Sequence, residues 1–165
     1  MNRFAAAFAT VAIAAGWIAD ARGVEADLFA ARCVICHQIS AQGVPGIYPP
    51  LADSIGSDAR FKDGRDYLIH VVIGGMHGPI DVKGTVYNGL MPQFSQLTDA
   101  EIAAVLNEVL THFNAREIPK NFAPIAASEV KRARSTPLSS AALARERTSL
   151  MNRLQHASTA DETAQ

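Results

Sequence analysis

The sequence predicts an all-α domain, interrupted by one small hairpin and followed by a helical C-terminal extension. Three observations lead there. Ile102, Val105, Leu106, Val109, Leu110 and Phe113 repeat at intervals of three and four, which marks one apolar face of a helix. No alternation of strand-like and helix-like segments is present, so a parallel sheet has nothing to build it. The 165 residues are 48% hydrophobic but only 7% aromatic, so the core relies on aliphatic side chains or on something that is not a side chain.

The N-terminus reads as a secretory signal over residues 1–21. Arg3 supplies the positive charge, Phe4 to Ile18 an alanine-rich apolar run, and Ala19-Asp20-Ala21 a small-x-small cleavage pattern. The run is shorter than the roughly 20 apolar residues that span a bilayer. The expectation is export to the periplasm, with a mature chain that starts near Arg22 and does not span the membrane; an uncleaved anchor is the alternative. Glu25 to Arg32 then predicts a first helix that buries Leu28 and Phe29.

That helix runs into the only two cysteines, Cys33 and Cys36, followed directly by His37. A disulfide across two intervening residues would constrain almost nothing. A redox dithiol belongs with a βαβ pattern that is missing, and a zinc site needs about four ligands where no second pair stands at ligand spacing. Covalent haem attachment remains. Two thiols three residues apart on one helical turn reach the two vinyl groups on one porphyrin edge, and the adjacent imidazole ligates the iron through Nε2.

Gln38 to Ser54 follows as a loop with Gly43, Pro45, Gly46, Pro49 and Pro50. The carbonyl of Pro49 or Pro50 is placed to accept the Nδ1 proton of His37, with plain turn chemistry as the competing reading. Asp66 to Ile73 predicts an apolar helix that carries His70 as a packing or surface residue. Pro79 to Tyr87 predicts a hairpin turning at Lys83-Gly84.

The second axial ligand decides whether the iron is closed or open. Met91 is the preferred candidate, because Tyr87-Asn88-Gly89-Leu90-Met91-Pro92 is a punctuated loop that lays a thioether across a flat face. Met76-His77, after Gly74-Gly75, is the rival, and ligation by His77 would lower the potential. His112 and His156 carry no assigned role. Thr98-Asp99-Ala100-Glu101 is a capping box that opens the helix with the apolar face, expected to cross the first helix near Phe29.

From about Val24 to Ala115 the chain resembles class I c-type cytochromes, especially small bacterial periplasmic or dehydrogenase-associated ones. The resemblance rests on Cys33-Val34-Ile35-Cys36-His37, Tyr48-Pro49-Pro50-Leu51, Tyr87 to Pro92 and the Leu97-to-Ile102 helix start. It implies the cytochrome c fold, all-α with three to five helices around one covalently bound haem c with an exposed edge, and His37 and Met91 as axial ligands. It also implies Asn88 as a hydrogen-bond donor to the ligand sulfur or the loop backbone. The organisation expected is a signal at 1–21, a cytochrome c domain at 22–115, and a basic, partly helical extension at 116–165.

Ala127 to Arg134 and Ser140 to Arg147 echo one another in that extension. Ser128 and Ser139 or Ser140 are candidate caps, Pro137 is a break, and disorder is expected from about Gln155. Between Val24 and Ala115 ten acidic residues face five basic ones, whereas from Arg116 on eight bases face five acids. The expectation is a basic arm that touches a partner or folds back on the acidic body, with a surface extension of no specific role as the alternative.

The overall charge of −1 argues against nucleic acid as a partner. Nothing pairs a nucleophile with a base or forms a phosphate loop. The expectation is an electron carrier rather than an enzyme, working as a shuttle or as the redox subunit of a periplasmic oxidoreductase. Its partners would be a periplasmic dehydrogenase or a terminal oxidase or reductase. The alternatives are a haem-based sensor or enzyme for a small ligand with a labile distal position, and a structural domain docked through its tail.

Overall fold

A computed structural model describes residues 28–162. Helical residues 28–32 (α1) lead through Cys33 into α2, Val34–His37. The Cys33 N–H donates to Phe29 O at 2.9 Å and the His37 N–H to Cys33 O at 2.9 Å, so helical bonding crosses the junction. A loop and a 3-10 turn, Gly56–Arg60, precede α3, Lys62–Gly74. The antiparallel hairpin β1, Ile80–Val82, and β2, Thr85–Tyr87, pairs Ile80 with Tyr87 and Val82 with Thr85. Its two-residue turn has positive φ at Lys83 and Gly84, the geometry that matches strand twist. α4, Asp99–Phe113, is followed by α5, Ala127–Arg134, and α6, Ser140–Glu162. The cytochrome c fold predicted from sequence is present, with α1 to α4 as its body and α5 and α6 as the extension.

α4 forms where its cap dictates. The Glu101 N–H donates to Thr98 Oγ1 at 3.2 Å, and the Thr98 N–H donates to Glu101 Oε2 at 2.7 Å. The predicted apolar stripe is buried from Ile102 to Leu110. Phe113 meets Phe29 with ring centroids 5.1 Å apart, so α4 crosses α1 at the expected place. α3 starts one turn before the predicted Asp66. Lys62-Asp63-Gly64-Arg65 has no apolar period to reveal it; a Cβ on Gly64 would collide with the Asp58 carbonyl, so close packing holds that turn.

The extension docks on the acidic body. Val130 and Ala133 of α5, and Leu143 and Leu150 of α6, join the core with Leu68, Ile69 and Leu110. Arg132 pairs with Asp66 at 2.8 Å, Arg134 with Asp99 at 2.8 Å and Arg153 with Asp63 at 3.0 Å. The Arg65 guanidinium grips Glu129 with two bonds, at 2.9 and 2.7 Å. Two local expectations are corrected. α5 is entered through Ala126, whose N–H donates to Glu129 Oε2 at 2.9 Å, so Ser128 is not its cap. α6 continues past Gln155 to Glu162, and Leu154, just before the expected break, packs against the core and anchors that turn. Ser139 does cap α6, accepting the Ala142 N–H at 3.3 Å. The predicted signal at 1–21 and the first turn of the predicted opening helix lie outside the described residues. No helix among the described residues is long and apolar enough to cross a membrane.

Candidate functional site

His37 closes α2 and is 8% exposed. Its Nδ1 lies 3.0 Å from Pro49 O. A carbonyl only accepts, so Nδ1 carries the proton and Nε2 is left as the lone-pair nitrogen for a metal. Burial pushes the imidazole pKa down and so favours the neutral, ligating ring, while the Pro49 bond works in the opposite direction. The loop is shaped to hold that carbonyl. The Gly43 N–H donates to His37 O at 2.9 Å, and Val44 pairs with Tyr48. A Cβ at Gly43, where φ is +70°, would collide with the Tyr48 and Pro49 carbonyls, so only glycine fits.

Cys33 and Cys36 are unpaired thiols, both half-buried. Burial, then Glu108 and Cys36, pushes the Cys33 thiol up to about 11. A redox dithiol works through a depressed thiol pKa, the opposite of the shift at Cys33. Among the described residues no cluster of three or more His, Cys, Asp or Glu could hold a metal ion by itself.

Both cysteines and His37 line a cavity of about 700 Å³, counting space open to solvent. Its other walls are mostly apolar, among them Ile47, Met76, Tyr87, Leu90, Met91 and Phe94. A second compartment of about 1360 Å³ adjoins it and shares His37, Pro49, Ile80 and Met91. Among the described residues, Met91 is therefore the one methionine common to both compartments, and His37 the one histidine.

The Met91 loop is held from two sides. The Met91 N–H donates to Met76 O at 2.9 Å and the Met76 N–H to Met91 O at 3.0 Å. The Gly89 N–H donates to Ile47 O at 2.8 Å and the Asn88 N–H to Gly46 O at 3.3 Å, which ties this loop to the one that carries Pro49. Gly75 (φ +71°) makes the close approach possible, since a Cβ there would meet Met91 O and Gln93 N. The rival pair separates. Met76 packs in the first cavity and accepts a 3.9 Å contact from the Tyr67 hydroxyl, whereas His77 is exposed and lines neither compartment. Asn88 is exposed and takes part through its backbone. His70 is buried, with Nε2 3.2 Å from Ala133 O, and His112 sits edge-on to Phe113 on the surface.

The second compartment holds residues that sequence reasoning missed: Asp58, Tyr67 and Arg147. Arg147 comes from α6. Its guanidinium donates to Asp81 O at 2.6 Å and to the Tyr67 hydroxyl at 3.5 Å. One sequence signal could have flagged it, a lone arginine spaced four from Leu143 and three from Leu150 on the buried stripe. The donor set fits a haem. An apolar slot would take the macrocycle, with two thiols at one edge, an imidazole and a thioether on its walls, and a cation and a hydroxyl beyond them for the carboxylates.

Comparison with known proteins agrees with that chemistry. The family model described as Cytochrome c matches residues 26–112. A cytochrome c-552 of Thermus thermophilus is 46% identical over 108 residues, which cover 66% of this chain and 82% of that protein. A second cytochrome c-552 of Thermus thermophilus is 44% identical over 123 residues, 74% of this chain and 82% of the relative.

Proposed function

As this chain belongs to the cytochrome c family, we propose that it carries single electrons in the periplasm, with His37 and Met91 as fixed axial ligands of its haem. The family carries one covalently attached haem c and works by haem-based electron transfer. When bound, haem c supplies an iron that changes oxidation state by one electron. The rest is done by the chain. Cys33 and Cys36 would form the two thioethers, and the Pro49 carbonyl holds the His37 ring with Nε2 free. The Met76–Met91 bridge fixes the opposite loop, and Tyr67 with Arg147 offers donors to the haem carboxylates.

The observation that carries this reading is that, among the described residues, His37 and Met91 are the only histidine and methionine common to both compartments. Ligands held by backbone pairing on both sides need little rearrangement when the charge changes. Electrons would leave through the rim, where Ile35, Ile47 and Leu90 are 84%, 49% and 67% exposed around the cavity mouth. That rim suits a periplasmic dehydrogenase or a terminal oxidase or reductase, with the chain serving as shuttle or as redox subunit. Carbon monoxide added to the reduced protein tests the closed iron. Poor binding at neutral pH is expected, and rapid stoichiometric binding would instead mark a small-ligand sensor.

A further inference from the structure

Asp58 is the outlier of the second compartment. It lies in the 3-10 turn, is 2% exposed, and lines the cavity that His37 and Met91 also line. No described residue gives its carboxylate a hydrogen bond or an ion pair. The nearby cation, Arg147, has its guanidinium engaged with Asp81 O and the Tyr67 hydroxyl. A buried carboxylate without a partner is costly, and the cheapest remedy is a proton.

The groups around it come from every neighbouring element. α6 presents Arg147, α3 presents Tyr67, and the segment after α4 presents Glu117. The hairpin adds Asp81 and Lys83 to the compartment wall, with Lys83 Nζ 3.5 Å from Glu117. Burial first, with Glu117 against the pull of Arg147, moves the Asp58 carboxyl up to about 7. A group with that value is half-protonated at neutral pH, where a small change in local charge switches it.

We propose that Asp58 is a redox-linked proton site: it takes up one proton from solvent when the protein accepts one electron, and releases it when the electron leaves. This rests on the haem reading above. Charge balances in both directions, because one electron from the donor protein and one proton from solvent enter together. Reduction removes one positive charge from the cavity, which favours the carboxylic acid over the carboxylate. A unit charge acting across a cavity of this size changes a proton equilibrium by about tenfold at protein-like dielectric.

The test is a spectroelectrochemical titration of the full haem-bearing chain from pH 5 to 9, beside Asp58→Asn. At a fixed applied potential near neutral pH, the reduced-to-oxidised ratio should fall as pH rises, by about tenfold in total. It should level off on both sides, and the Asn variant should be flat. A reduced-minus-oxidised infrared spectrum of the unsubstituted protein should show a protonated-carboxyl C=O band on reduction, which gives a second readout if the variant fails to fold. A flat titration of the unsubstituted protein, an Asn variant that keeps the full slope, or the absence of the carboxyl band would overturn the inference while leaving the haem assignment intact. A chain without covalent haem would overturn both readings and is recognised at once from its spectrum.

Discussion

Replacing Asn114 with alanine should destabilise the fold severely and loosen the loop that orients His37. Asn114 is fully buried at the end of α4. Its Oδ1 accepts the N–H groups of Ser54, Ile55 and Gly56 at 3.0, 3.2 and 3.1 Å. Its Nδ2 donates to Leu51 O at 3.0 Å and Val109 O at 2.9 Å. One side chain thus clamps the loop beyond Pro49 to α4, and that loop positions the carbonyl bonded to the His37 ring. Alanine strands three donors and removes a donor from two carbonyls. Each buried group left unmade costs ~1–3 kcal/mol. Taken at the low end for all five groups, the total expected is about 5 kcal/mol. A typical domain has ~5–15 kcal/mol in all. Guanidinium unfolding of the haem-bearing protein should show a lower midpoint with an unchanged slope. A loss below about 1 kcal/mol would show that the clamp is not what holds the loop.

Three further outcomes follow from the same geometry. Gly75→Ala should cost about 2 kcal/mol or more, from the positive φ and the collision with Met91 O, and should weaken the sulfur-to-iron charge-transfer band in the ferric spectrum. Met91→Ala should lower the reduction potential and let the reduced protein bind carbon monoxide; an unchanged potential and spectrum would move the ligand to Met76 or His77. Burial raises the Glu146 carboxyl against the pull of His70, so its folded-state pKa lies above the unfolded value. Its contribution is therefore full below about pH 4.5 and lost as pH climbs through the folded value, and Glu146→Gln should flatten that part of the denaturation-against-pH curve.

What could be read from sequence was what is local along the chain. Cys33, Cys36 and His37 share one turn, the box of Thr98 and Glu101 spans four residues, and the Lys83-Gly84 turn joins strands three residues long. Even the Pro49 bond spans only twelve positions and was narrowed to two prolines. The second compartment was hidden because its parts are distant. Arg147 meets Tyr67 across eighty positions, and no spacing rule reaches that far. Asp58 looked like an ordinary charged turn residue, since its burial depends on α3 and α6 closing over it. The extension's charge pattern left docking on the acidic body open beside partner contact and no role at all, and gave no sign that its arginines would divide between surface pairs and a cavity wall.

Acid–organic extraction of the denatured protein, followed by absorption spectroscopy of the polypeptide, tests the covalent bonds at Cys33 and Cys36 most directly. The porphyrin spectrum should stay with the chain, and should be retained incompletely once either cysteine is replaced by alanine. Complete release of porphyrin from the unsubstituted chain would contradict covalent attachment and the electron-carrier reading built on it.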